Sequence, residues 1–293
     1  MNSNPEFKKR MNDVRKSLAS NPIEILTIPS DKCPHFKCDG TGWIQIKDWS
    51  KRHTRLEQDE WREKCQCYEQ RMRQIEINKK LKLAGIPKIF QGLSLNSFDL
   101  DAYKQKDSKD TARLAKKAAG NYVVNYKQMA EIGKGMYFYS DIKGSGKTRL
   151  VSSLANALVK EHGISVAFVK AQNLFKEIQK TFNKKSEVSE LEVTAAFKDV
   201  DVLIIDDIAV EKPSDFAERT LFDIIDYRLE QKKPVLLTSN RTIDELDELY
   251  PGERVSSRIR KMCYEIFIPE ESVRDLESKQ ENADIEKILF GGN

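Results

Sequence analysis

From about residue 136 onward, short runs of apolar residues alternate with longer stretches whose apolar positions recur every three to four residues. The short runs are Met136–Tyr139, Ser165–Val169, Val202–Ile205 and Pro234–Leu237, with a further apolar stretch at Tyr264–Ile268. Helical patterns fill Lys147 to about Glu161 and Ala217–Leu229 between them. Strands separated by helices predict a parallel sheet with crossover connections, and hence a three-layer α/β domain. Ligands in such a domain gather at the carboxyl ends of the strands.

The residues ahead of this rhythm have another texture. A charged run from Gln58 to Lys82 reads as helix, and Ala84, Gly85, Ile86 and Pro87 break it before a polar connector that continues past Asp101. No internal repeat or low-complexity tract interrupts the chain, and 293 residues suit one main domain with an appendage. The expected partition is a small module over 1–83, the α/β domain over 84–275, and a tail over 276–293. The first residues, Met1 to Lys16, lack an apolar signal region, and nowhere do roughly 18 apolar residues run together. A soluble, cytoplasmic protein without a membrane segment is expected.

The chemistry lies at the ends of the apolar runs. Directly after Gly135–Tyr139 comes Ser140, Asp141, Ile142, Lys143, Gly144, Ser145, Gly146, Lys147, Thr148, and a helical pattern begins at its end. This is most of a Walker A phosphate loop in its strand–loop–helix context. Gly144, Ser145 and Gly146 let backbone N–H groups curl around phosphate, Lys147 reaches the β and γ phosphates of ATP, and Thr148 ligates magnesium. The pattern departs at its first glycine, which is Asp141 here. Fifty-nine residues after Lys147, the run Val202–Ile205 ends in Asp206 and Asp207. A carboxylate at a neighbouring strand tip holds magnesium through water, and a second orients the attacking water, so Asp206 is assigned to the metal and Asp207 to the water. The next run leads into Thr238, Ser239 and Asn240, whose amide suits either a γ-phosphate contact or the cap of the following helix. Arg254 and Arg258 stand four apart, on one helix face, where they meet either a phosphate or solvent.

Cysteine usage changes the picture of the front module. Four of the five cysteines fall at Cys33, Cys38, Cys65 and Cys67, a spacing that suits a tetrahedral zinc site in a reducing compartment. Gly40 and Gly42 leave room for backbone N–H groups to approach sulfur. His35 and His53 are the alternative ligands, and Cys263, beside an apolar stretch, reads as a buried small hydrophobe. The first 90 residues hold 19 basic and 12 acidic side chains, an excess larger than the chain's total of +4. That balance permits contact with DNA or with an acidic protein face.

The order of motifs resembles the AAA+ ATPases, specifically the DnaC/DnaI helicase loaders with their IstB and DnaA relatives. The segments that carry the resemblance are Ala84–Phe90, Gly144–Thr148, Leu203–Ile208, Leu236–Asn240 and Glu253–Ile259, within about residues 84–275. The resemblance implies that Arg258, with Arg254 beside it, is the arginine finger that reaches the ATP of an adjacent subunit. It implies that Arg274 is the sensor arginine acting on its own subunit's nucleotide. Asp207 stands where many members have the longer Glu, which implies slow hydrolysis. It further implies ATP-promoted self-assembly, single-stranded DNA as a ligand, and a hexameric replicative helicase gripped by residues 1–83. A transposition accessory ATPase of the IstB type and a non-hydrolysing adaptor or inhibitor are the alternative functions.

Overall fold

The four side chains of Val202–Ile205 are all fully buried, as expected for a strand covered on both faces. The computed structural model describes residues 22–51, 58–80, 85–181, 189–208, 214–250 and 252–291, and the chain forms two compact units, 1–73 and 74–293.

In the first unit, β1 (Ile23–Ile25), β2 (Trp43–Asp48) and β3 (Glu60–Lys64) form an antiparallel sheet in that order. Trp61 of β3 faces Ile46 of β2 in register. The sequence expectation of a helix from Gln58 therefore fails over 60–64, and α1 begins only at Tyr68 and runs to Lys80. Pairing with β2 outweighs local helix propensity here and delivers Cys65, whose N–H donates to Gly42 O at 2.9 Å. Among the described residues of this unit, the buried apolar side chains are Ile46 and the four cysteines.

The second unit holds β4 (Gly135–Tyr139), β5 (Val166–Lys170), β6 (Val202–Ile208), β7 (Val235–Ser239) and β8 (Cys263–Phe267). They form a parallel sheet in the order β5-β6-β7-β4-β8. Side chains alternate between two cores: Tyr137, Leu203 and Leu237 face one, and Phe138, Ile204 and Leu236 the other. Residues of α2 (Lys106–Val124), α3 (Tyr126–Glu131) and α4 (Lys147–His162) pack in the second core. Residues of α5 (Ala171–Lys180), α6 (Glu190–Asp199), α7 (Asp215–Glu230), α8 (Leu246–Leu249) and α9 (Arg254–Met262) pack in the first. The expected three layers are present, and 276–290, within the stretch expected as a C-terminal tail, belong to a helix, α10 (Val273–Phe290). No helix among the described residues is long and apolar enough to cross a membrane.

This strand order sets the site. β7 lies between β4 and β6, so the carboxyl ends of the strands bearing the phosphate loop, Asn240 and Asp206 are neighbours. The fully buried Arg228 fixes the far ends: its guanidinium donates to the carbonyls of Phe197, Lys198, Val200, Asp201 and Pro234 at 2.7–3.2 Å. It thereby ties the entry to β6 to the entry to β7.

Candidate functional site

The loop between β4 and α4 turns on two glycines with positive φ, Gly144 at 80° and Gly146 at 97°. Neither tolerates a side chain. A Cβ on Gly146 would lie 2.8 Å from Tyr103 Oη, and one on Gly144 would lie 2.8 Å from Ser272 Oγ. Asp141, the departure from the glycine pattern, is exposed and is not among the residues with positive φ. Its position in the loop makes no demand for glycine's backbone freedom.

Lys147 opens α4 and is buried, with its Nζ folded back on the loop. It donates to Ser140 O at 2.9 Å, Ile142 O at 3.0 Å and Ser145 Oγ at 3.2 Å. Burial pulls its pKa down to about 8 against the pull of Asp207, Asp206 and Asp141. Gly146 at the head of α4 supplies no side-chain cap, which suits a helix N-terminus that receives an anion. Thr148 donates from Oγ1 to Asp206 Oδ1 at 2.9 Å. The loop lysine, the hydroxyl after it and the strand-tip carboxylate thus share one place, as the spacing predicts.

Asp206 is fully buried, and burial followed by the charge of Asp207 raises its pKa to about 6. The register between β6 and β7 slips at this point, from Ile205 opposite Leu237 to Ile208 opposite Ser239. Asp206 and Asp207 together therefore oppose the single residue Thr238, a β-bulge. Asp207 takes a φ of 57°, a left-handed backbone uncommon outside glycine. Thr238 Oγ1 accepts from the Asp207 N–H at 2.9 Å and donates to Asp206 Oδ1 at 2.7 Å.

Asn240 follows β7 and is half-buried. Its turn is fastened by Ser239 Oγ donating to Ile208 O and by Tyr137 Oη donating to Arg241 O. Arg274 sits in the first turn of α10, where the N–H groups of Val273 and Arg274 donate to Gly144 O at 3.0 and 3.3 Å. The phosphate loop and Arg274 are in contact within one chain. Arg254 is exposed at the start of α9. Arg258, one turn on, donates from Nε to Asp226 Oδ1 at 2.7 Å and lies over the Phe222 ring.

Three contributors have no counterpart in the sequence reading. Thr238 joins the two aspartates. Tyr103 donates from its buried hydroxyl to Ser145 O at 2.8 Å, fastening the loop from below. Glu271 accepts from the N–H groups of Lys104 and Gln105, holding the start of α2 next to the start of α10. Thr238 carries a signal, being a polar residue at the end of a buried strand beside another acidic strand end. Tyr103 and Glu271 act across 42 and 166 residues of chain, and nothing local marks them.

In the first unit the sulfurs of Cys33, Cys38, Cys65 and Cys67 all lie within 4.8 Å of one another and are buried. Three pairs stand at 3.5–3.8 Å, and no disulfide links them. A tetrahedron with metal–sulfur bonds of about 2.3 Å has sulfur–sulfur edges of about 3.8 Å, so the group fits zinc. Burial pushes the Cys33 thiol up, but hydrogen bonds from the backbone of Lys37, Cys38 and His35 more than reverse this and bring it to about 6. Gly40 and Gly42 direct backbone hydrogen bonds to Cys38, the part expected of them. His35 is exposed and outside the group; His53 lies outside the described residues. Cys263 is buried in β8 with its thiol toward Val235 O.

Comparison with known proteins finds relatives over most of the chain. Residues 62–281 match the family model described as IstB-like ATP binding protein. The replicative helicase loader DnaC of Escherichia coli K12 is 24% identical over 192 residues, 66% of this chain and 73% of that protein. The phage-like element PBSX protein XkdC of Bacillus subtilis is 26% identical over 210 residues, 70% of this chain and 73% of that protein. Among solved structures, that of DnaI superposes with a TM-score of 0.51 at 27% identity, covering 62% of this chain and 94% of that one.

Proposed function

We propose, from the premise that this chain belongs to the IstB-like ATP binding protein family and is an AAA+ protein of the DnaC type, that it is a cytoplasmic ATPase which loads a hexameric replicative helicase onto single-stranded DNA. The observation that carries the reading is the meeting of the Gly144–Thr148 loop, Asp206 and Arg274 at the ends of adjacent strands and helices.

Each residue then has a task. Lys147 exchanges its loop acceptors for β- and γ-phosphate oxygens, and the N–H groups of Gly144, Ser145 and Gly146 hold the phosphates from the helix end. Magnesium bound with ATP would supply charge neutralisation at the phosphates. Thr148 would offer its hydroxyl oxygen to that cation, and Asp206 would hold it through water. Asp207 orients the attacking water, and its side chain, shorter than Glu, makes turnover slow. Asn240 hydrogen-bonds the γ-phosphate without adding negative charge. Arg274 offsets charge on its own subunit's nucleotide, while Arg258 and Arg254 reach a neighbour's. A γ-phosphate held by two subunits favours assembly, so the protein behaves as a switch.

Residues 1–83 form the helicase-gripping module, in which Cys33, Cys38, Cys65 and Cys67 would hold a structural zinc ion. The AAA+ domain is 84–275, followed by the C-terminal 276–293. Steady-state ATP turnover, measured with and without single-stranded DNA and a replicative helicase, tests the whole reading. A loader is stimulated by both. Turnover that ignores the helicase points instead to a transposition accessory ATPase, and no turnover to a nucleotide-binding adaptor.

A further inference from the structure

Thr238 ends the apolar run of β7, fully buried, and sits opposite two residues of β6 rather than one. Its hydroxyl makes two hydrogen bonds whose directions are forced. The Asp207 N–H can only donate, so Oγ1 accepts it at 2.9 Å, and the hydroxyl proton goes to Asp206 Oδ1 at 2.7 Å. The same Oδ1 accepts from Thr148 at 2.9 Å, and that donor's distance to Oδ2 is 3.3 Å. Two hydroxyls thus occupy Oδ1 and leave Oδ2 as the less engaged oxygen.

We propose that Thr238 is a positioning residue that sets the metal-binding and water-orienting carboxylates as one rigid unit. It fixes the plane of the Asp206 carboxylate through Oδ1 and holds Asp207 in its left-handed bulge through the backbone. The inference rests on the nucleotide-site reading above and deepens it. In that reading Thr148 turns away toward a cation, which leaves Thr238 as the hydroxyl that still orients Asp206. Left-handed backbone at a non-glycine residue persists only where its surroundings hold it, and the Asp207 N–H is held by this side chain. Two residues further along, the strand delivers Asn240, so one strand end both orients the acidic pair and presents the amide.

The test compares Thr238→Val, which keeps the shape and removes the hydroxyl, with Thr238→Ser, which keeps the hydroxyl, in the full chain. Mn2+ affinity is read by electron paramagnetic resonance with a non-hydrolysable ATP analogue, and nucleotide affinity is read separately in EDTA. For the valine variant, Mn2+ affinity is expected to fall by at least about tenfold and turnover with it, while nucleotide affinity in EDTA stays within about twofold. The serine variant is expected to restore Mn2+ affinity to near the wild-type value. A valine variant with unchanged Mn2+ affinity overturns the assignment. So does one in which nucleotide affinity in EDTA falls as far as Mn2+ affinity, which marks general damage to the fold. A wild-type chain that binds no nucleotide in either condition refutes the nucleotide site itself, and this assignment with it.

Discussion

Arg258 Nε lies 2.7 Å from Asp226 Oδ1, so the arginine assigned to a neighbour's nucleotide is held on its own chain. Both side chains are about a third exposed, 32% and 31%, and an ion pair at that exposure is worth about 0.2–1 kcal/mol. The hold is weak enough to release when a neighbouring phosphate competes. Arg258→Ala is expected to bind ATP as wild type does and to lose turnover by at least about 100-fold, given that supplied arginine fingers contribute about 10³ or more. Asp226→Asn, which frees the guanidinium, is expected to keep turnover. Wild-type hydrolysis by Arg258→Ala in a concentration series would remove the finger assignment.

Lys147 gives a different signature, because the proposal places its ammonium on its own subunit's nucleotide. Three loop acceptors hold its Nζ in the structure, and phosphate oxygens would have to replace them on binding. Truncation of a buried charged partner costs about 2–5 kcal/mol. Lys147→Ala is therefore expected to weaken ATP binding by at least about 30-fold, as read by calorimetry at fixed magnesium. An unchanged heat of binding would mean that the loop does not grip a triphosphate.

The larger unit was legible because its strands are uninterrupted apolar runs and its loop chemistry sits at their ends. The Met136, Ser165, Val202 and Pro234 runs all form strands, and Thr148, next to Lys147, lies within hydrogen-bond reach of Asp206. What stayed hidden depends on long-range pairing. α2 lies in a stretch that reads as polar connector, and half of what it buries is the small Ala112, Ala115 and Ala119, beside Ser108, Tyr122 and Val123. Residues 60–64 have a charged composition, and only register with β2 makes them a strand. The bulge at Asp206 and Asp207 likewise exists only between two strands, so the role of Thr238 could not be read from β7 alone.

Asp206 makes stability depend on pH in an unusual direction. Its folded pKa is raised from 3.8 to about 6, so the folded chain binds this proton more tightly than the unfolded one. The group then costs stability as pH rises through that window, and the full cost, about 1–3 kcal/mol, is present above it. Without nucleotide or magnesium, Asp206→Asn is expected to melt higher than wild type near pH 7.5. The advantage shrinks as pH falls below about 6 and disappears near pH 4. Lys147, lowered to about 8, adds a slope of the opposite sign only towards the top of that range, above about pH 7, and carries it in both proteins. Melting curves that show no difference near pH 7.5 would mean that Asp206 is not held ionised at a cost.

The cysteine group yields the sharpest test of the first unit. Its described residues bury little apolar surface beyond Ile46 and the sulfurs themselves, and so small a core does not offset the entropy of ordering the chain. Bound metal would supply the missing stabilisation, with an apparent free energy of about 10 kcal/mol or more for structural zinc. Native mass spectrometry of the full chain is expected to find one zinc ion per subunit, lost in Cys38→Ser together with amide protection over β1–β3. ATP binding, proposed for the other unit's loop, is expected to survive that substitution. A metal-free chain that keeps protection over β2 and β3 would show that the four thiols are packed for stability alone, with their short contacts needing no ion.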